Sequence, residues 1–330
     1  MVVILIYLLW TEPRFNRAAS LQLRSIVDLS WHDFSENLRF FRREAFALFI
    51  FLSTVKYESM NKPSKAYDNS SFLKSPDARP IRVQCELIEP EVRLTEYGVE
   101  NTIVLFGSAR SKDSTDAQNE LNALMENLPD NPADRTDEQT EEVLKKERIL
   151  LLSKYYDQAV ELSERLTKWS LEHEDPKMQY LICSGGGPGM MEAANKGASQ
   201  AGGQSIALGI SLPFEQGVNQ YATPELSFEF HYFFIRKFYF LYHAKAIVVF
   251  PGGFGTMDEL FETLTLVQTG KLEKKLPVFL YGREFWEGLI NFDQFVKWGV
   301  ISPKDLDLFK IVDNEDEAFS AITACLTPAG

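Results

Sequence analysis

Cysteine is scarce in this chain: Cys85, Cys183 and Cys325 are widely spaced. They form no CxxC and no even disulfide set, which excludes a disulfide scaffold and fits a reducing, cytoplasmic compartment. His32, His173, His231 and His243 show no metal-ligand spacing, so no metal is expected. Basic residues are outnumbered, 34 against 47 acidic, for a net charge of −13. That balance excludes nucleic-acid or anionic-membrane binding through bulk charge. It leaves room for a small anion, because a nest of backbone N–H groups acts locally. Long hydrophobic runs are missing too. "MVVILIYLLW" and "AFALFIFLSTV" fall short of the roughly 18–20 residues that span a bilayer. The first has no basic segment ahead of it, and no small-residue cleavage site follows. No membrane partner is expected.

The composition shifts at Met60, where "MNKPSKAYDNSSFLKSPDARP" reads like a polar bacterial-type N-terminus. Residues 1–80 are therefore expected to be an extension, poorly ordered or outside the native fold. Within it, residues 1–59 read as an upstream addition and 60–80 as a flexible arm. Residues 81–330 are expected to form one domain. Apolar runs without alternation predict strands at 102–106, 180–183, 205–210, 227–230, 246–250 and 278–281, with a short one near 310–312. Helical patterns lie between them at 141–172, 190–201, 231–244, 257–269 and 284–297. This alternation predicts an α/β fold: a doubly wound, mostly parallel, Rossmann-like sheet of about seven strands with helices on both faces. The polar, acidic stretch near 112–146, with its two prolines, reads as a solvated insertion.

Three glycine loops follow strand ends. "VLFGSARS" brings Gly107, Ser108 and Arg110. "LICSGGGPGMMEAANKGA" brings Gly185, Gly186, Gly187, Gly189 and Met190. "VVFPGGFGTMDELFE" brings Gly252, Gly253, Gly255 and Thr256. In a parallel sheet all three lie at the carboxyl ends of strands, where ligands bind. Glycine lets a ligand approach the backbone, and a helix start offers free N–H groups. A dinucleotide fingerprint is incomplete, since Met190 stands where the third glycine belongs and the next strand ends without an acid. No G-x-x-x-x-G-K-[ST] run exists, which disfavours P-loop chemistry. A nucleoside monophosphate or a sugar phosphate remains.

Acids follow the third loop at once: Asp258, Glu259 and Glu262. A phosphate would repel them. Glu259, placed in the first turn of the following helix, could instead act on a bond a few ångströms from the phosphate. Glycosidic cleavage passes through an oxocarbenium-like transition state, which a carboxylate stabilises, and needs a positioned water. Arg236 and Lys237 are cations within the apolar stretch "FEFHYFFIRKFYFLYHAKA". Arg236 suits either a structural salt bridge or bidentate recognition of phosphate or carboxylate. The aromatics around it read as core or as an oligomer interface.

"GSAR", "SGGGPGMMEAANKGA", the Arg236–Lys237 pair and "PGGFGTMDE" together resemble the LOG (LONELY GUY) family of phosphoribohydrolases. The family's P-G-G-x-G-T-x-x-E motif is matched at every fixed position, and the resemblance runs from Thr102 to Ile322. It implies hydrolysis of nucleoside 5′-monophosphates to free base and ribose 5-phosphate, without a cofactor. It places the catalytic roles on Glu259 and Arg236. Phosphate or substrate binding falls on Gly107, Ser108, Gly185, Gly186, Gly187, Gly189, Met190, Lys237, Gly252, Gly253, Gly255 and Thr256. It also implies a homo-oligomer, dimer or larger, with the site near the subunit contact. Three departures leave base specificity open: "FFI" precedes the Arg-Lys pair, Met190-Met191-Glu192 follows the second loop where plant-like members have Leu-Met-Gly, and the insertion from Lys112 to Lys146 is absent from the short members. Cytokinin riboside monophosphates and general purine or pyrimidine monophosphates both remain as substrates. The alternative is a nucleotide-sensing or carrier module without chemistry. Some family members carry the label "possible lysine decarboxylase". Pyridoxal phosphate needs a Schiff-base lysine, and no lysine stands convincingly beside these loops; Lys196 reads as surface.

Overall fold

The protein, seen in a computed structural model, is described for residues 63–212 and 217–327. The expectation for residues 1–59 lies outside the described residues. The described residues up to Ser75 fall in one compact unit and those from Pro76 in another. In the first, helical turns at Ala66–Asp68 and Ser70–Leu73 stand where a flexible arm was expected. Asn69 starts the second turn, its side-chain oxygen accepting from Phe72 N at 3.1 Å.

The second unit is built on one sheet of seven strands in the order β4-β3-β2-β1-β5-β6-β7. The strands are β1 (Asn101–Phe106), β2 (Tyr180–Ser184), β3 (Ser205–Ile210), β4 (Ser227–Phe230), β5 (Ala244–Val249), β6 (Val278–Tyr281) and β7 (Phe309–Val312). All neighbouring pairs are parallel. The helices are α1 (Arg79–Glu96), α2 (Ser114–Met125), α3 (Asp137–Leu171), α4 (Met190–Gln200), α5 (Phe233–Tyr242), α6 (Phe254–Gln268), α7 (Arg283–Leu289), α8 (Phe292–Lys297) and α9 (Glu315–Leu326).

Alternate side chains along β1 explain its unbroken apolar run. Ile103 and Leu105 pack into a core with α3, α4 and α9; Val104 and Phe106 pack into a second core with α1, α5, α6 and α7. A strand buried on both faces has no solvent side to mark with polar residues. The chain winds outward from β1 to β4, then returns to the other side of β1 as β5. The carboxyl ends of β1 and β5 therefore flank the switch in strand order, where a crevice opens in such sheets.

The helices differ from the sequence expectation in three places. α1 was not among the expected helices; it runs through a buried Pro90 without ending there. The insertion is largely folded. Asp113 caps α2 by accepting from Thr115 N at 3.0 Å, and Glu120 of α2 is gripped by Lys112 at 2.5 Å and by Lys146 of α3 at 2.7 Å. The prolines that suggested a loop, Pro129 and Pro132, fall between α2 and α3, and a Thr136–Gln139 capping box starts α3. The pattern at 284–297 is two helices, because Asn291 caps a new start by accepting from Gln294 N at 3.2 Å. Among the described residues no helix is long and apolar enough to cross a membrane.

A buried polar cluster joins β2, α4 and β3. Asn195 of α4 is fully buried; its Oδ1 accepts from Ser184 Oγ at 2.8 Å and from Asn219 Nδ2 at 2.9 Å, and its Nδ2 donates to Ser205 Oγ at 2.9 Å. Removing one member strands its partners without water. Asn195→Ala should lower stability by about 2 kcal/mol in urea unfolding; a loss below about 0.5 kcal/mol would show that the cluster rearranges without cost.

Candidate functional site

The loops after β1 and β5 are tied edge to edge beyond the strands: Phe250 N donates to Phe106 O at 2.8 Å and Ser108 N to Pro251 O at 3.0 Å. A cleft of about 1090 Å³ opens above them. It is lined by Gly107, Ser108, Arg236, Gly252, Gly253, Gly255, Thr256 and Glu259, all expected from the sequence. Lining residues that sequence reasoning missed are Met191, Phe233, Phe254, Asn291 and Phe295, among others. Only the asparagine carried a readable signal, as a helix cap. The apolar residues are indistinguishable from core in one dimension.

The helix after the third loop begins at Phe254, one turn earlier than the apolar pattern suggests, with Gly253 as its cap residue. Its first turn is Phe254, Gly255 and Thr256, whose amides have no intrahelical acceptor and carry the positive end of the helix dipole. Gly252 is required by close approach: a Cβ there would collide with the Thr256 side chain. Thr256 is thereby buried against the loop while still lining the cleft. Glu259 consequently stands in the second turn, not the first. It follows Thr256 by three residues, a spacing that puts both on one helix face.

Burial pushes the Glu259 carboxyl up to about 7; the Arg236 cation pulls against that rise, and Asp258 adds to it. Desolvation outweighs the attraction of the cation. A carboxyl titrating near neutrality is suited to taking up a proton in a reaction.

Arg236 reaches the cleft from α5. Its Nε donates to Leu208 O of β3 at 2.6 Å, its guanidinium lies 4.9 Å from the centre of the Phe240 ring, and Nη1 stands 3.7 Å from Glu259 Oε1. Only 9% of the residue is exposed. Gly185 makes room for it, since a Cβ there would meet Nη2 at 2.5 Å. Of the two sequence readings for Arg236, the ion-pair reading is met in its pairing with Glu259; the residue also lines the cleft.

The second glycine loop serves mostly as scaffold. Gly185, Gly186, Gly187 and Met190 do not line the cleft, and Gly189 lines an adjoining cavity of about 1030 Å³ beside α2, which shares Ala109, Arg110 and Leu152 with the cleft. Their polar groups are engaged locally. Gly186 N donates to Ser184 Oγ at 3.1 Å, Asn219 Nδ2 donates to Gly186 O at 3.0 Å, and Met190 N donates to Ser108 O at 3.0 Å. Gly189 has φ +72° and lies against the Ser108–Ala109 backbone, so no side chain fits. Only Met191 of this segment reaches the cleft wall. Lys237 is also turned away from it, bonded to Asp258 at 2.8 Å and Glu262 at 2.7 Å. Lys196 is not a surface lysine: it is partly buried, 3.3 Å from Asp113, in the adjoining cavity. Among the described residues no lysine lines the cleft, so a Schiff-base site has no donor there.

These features define a doubly wound α/β protein of Rossmann-like type, with a helix start and an acid–arginine pair sharing one cleft at the strand-order switch. Comparison with known proteins carries this further. Residues 191–322 match the family model described as "Possible lysine decarboxylase". The chain is 27% identical over 169 residues to the probable cytokinin riboside 5′-monophosphate phosphoribohydrolase LOG4 of Oryza sativa subsp. japonica, covering 50% of this chain and 68% of that protein. It is 28% identical over 155 residues to LOG3 of Arabidopsis thaliana, a cytokinin riboside 5′-monophosphate phosphoribohydrolase, covering 46% and 66%. The chain thus spans about two thirds of the length of these relatives. Among solved structures, the Moco carrier protein from Chlamydomonas reinhardtii aligns at 18% identity over 68% of this chain and 98% of that one, with a TM-score of 0.38. The resemblance to the LOG family drawn from the motifs is borne out in these sequence matches.

Gly185→Ala should displace the guanidinium from its seat. Affinity for a nucleoside monophosphate, measured by calorimetry, should fall about tenfold or more, the scale of one hydrogen bond to a charged group. Binding equal to that of the native chain would show that Arg236 does not depend on this gap.

Proposed function

We propose that the protein hydrolyses the N-glycosidic bond of nucleoside 5′-monophosphates, releasing free base and ribose 5-phosphate. One observation carries the reading: Thr256 in a helix start with unpaired amides and the Glu259–Arg236 pair at 3.7 Å line the same cleft. A pure anion binder gains nothing from a buried acid beside its seat. The names of the relatives point to the same reaction class. Residues 107–108 and 252–256 hold the 5′-phosphate, with Arg236 orienting phosphate or ribose.

Glu259 faces the glycosidic end. As the bond from C1′ to the base nitrogen breaks, positive charge develops on the ribose and the ionised carboxylate stabilises it. Water adds to C1′ and gives its proton to Glu259, the C1′–N bond electrons leave with the base, and the base is protonated from solvent as Glu259 returns its proton to solvent. The sign of the pH dependence follows from burial. With its carboxyl near 7, Glu259 is ionised above that pH and protonated below it, so kcat/KM should rise through pH 7 and fall on acidification.

The aromatics of α5 divide between two roles. Tyr239 and Phe240 are buried, while Phe234, Phe238 and Tyr242 remain exposed, the last two stacked at 4.9 Å. Phe233 is exposed and also lines the cleft. This apolar face supports a homodimer with the cleft at its edge. The unpaired cysteines, two of them exposed, are in keeping with a cytoplasmic setting.

The test is release of ribose 5-phosphate from a panel of nucleoside monophosphates, cytokinin riboside monophosphates included. Glu259→Gln should lower kcat by about 10²–10⁴-fold with nucleotide affinity largely kept; a fully active variant would refute its role. Tight binding without release from any substrate favours the sensing or carrier reading. For the assembly, Phe234→Asp with Phe238→Asp should shift sedimentation from dimer to monomer. An unchanged dimer places the contact elsewhere.

A further inference from the structure

Lys237 follows Arg236 on α5, and one residue advances a helix by about 100°. Arg236 therefore turns into the cleft while Lys237 meets the flank of α6. There its Nζ bridges Asp258 Oδ2 at 2.8 Å and Glu262 Oε2 at 2.7 Å. Asp258 and Glu262 are four residues apart and share one helix face; Glu259 projects from the adjoining face toward Arg236. Three ion pairs thus lie side by side between the same two helices. We infer that Lys237 is a positioning residue for Glu259: it fixes the rotation of α6 and neutralises the two carboxylates that flank the reacting acid.

Three carboxylates within five residues of one helix repel one another. The charged groups facing Glu259 are Arg236 and Lys237 from α5 and Asp258 and Glu262 from its own helix, and Arg110 lines the same cleft. Arg236 and Lys237 balance Asp258 and Glu262. Removing Lys237 leaves a net negative surround, which disfavours ionisation of Glu259. Burial pulls the Lys237 ammonium down, yet its hydrogen bonds to Asp258 and Glu262 hold it above the ordinary lysine value, so it stays charged. A lysine bound this way is not offered to the ligand.

The inference rests on the hydrolysis proposed above, and its test has one readout that does not. In the full chain, the kcat/KM profile for adenosine monophosphate is compared among native, Lys237→Met, Lys237→Arg and Lys237→Met/Asp258→Asn/Glu262→Gln proteins. The Glu259 carboxyl is titrated in parallel by carbon NMR, assigned through Glu259→Gln. Lys237→Met should move both midpoints up by about one pH unit. At pH 6 that is a roughly tenfold loss of kcat/KM, against less than about twofold at pH 9. Lys237→Arg and the triple variant should restore the native midpoint. An equal loss at every pH, or a triple variant still shifted, overturns the inference and leaves Lys237 a mere brace. Should Lys237→Met not fold, Asp258→Asn/Glu262→Gln with the lysine kept must move the NMR midpoint down; an unchanged midpoint overturns it as well. If the native chain turns over no monophosphate, the reaction reading fails while the NMR titration still decides the role of Lys237.

Discussion

A guanidinium buried inside an α/β domain needs compensation on every side, and the cleft is arranged around meeting that need. Arg236 is 9% exposed. It reaches β3 through the Leu208 carbonyl, faces the Phe240 ring, and stands opposite Glu259. Each contact fixes something else. The bond to Leu208 ties α5 to the sheet. A Cβ at 185 would press on the guanidinium where it lies. The pairing with Glu259 sets the face of α6 that turns inward. Stripping any partner from a buried charge costs far more than the pair itself gains, so these elements have little freedom to drift apart.

The three glycine loops divide the work unequally. The loop after β5 supplies a helix start that is open to a ligand. The loop after β1 forms the opposite wall, with its Ser108 carbonyl turned back to receive Met190 N. The loop after β2 is the clamp: its groups bond to Ser184, Asn219 and Ser108, and its glycines give space to Arg236 and to neighbouring backbone. Three similar strings therefore do different things. One opens a helix start to the cleft, one forms the facing wall, and one packs against the arginine between them.

Much of this was legible in the chain. Strands buried on both faces announce themselves as unbroken apolar runs, and β3, β4 and β6 fall at their expected residues. Gly252, Thr256, Arg236 and Glu259 were singled out by residue type and spacing, and they meet in one cleft. Misreadings came where a local rule was overridden from outside. α1 went unread altogether; it runs through a buried Pro90, a residue that breaks isolated helices. The acidic insertion lacked a strong apolar stripe, yet Glu120 between Lys112 and Lys146 fastens α2 to α3. Lys237 had the look of a phosphate ligand only because its acidic partners lie on another helix.

By itself the sequence determined the layer architecture, the places where backbone must come close, and the acid that stands by a glycine-rich helix start. Periodicity and residue size are local quantities, and a single chain displays them in order. The tertiary structure decided which glycines face a ligand and which face another loop, and it decided the charge of Glu259. Direction and desolvation belong to the packed molecule. A carboxyl written three residues after Thr256 is an ordinary acid until α5 and α6 close over it, and only then does burial carry it to about 7.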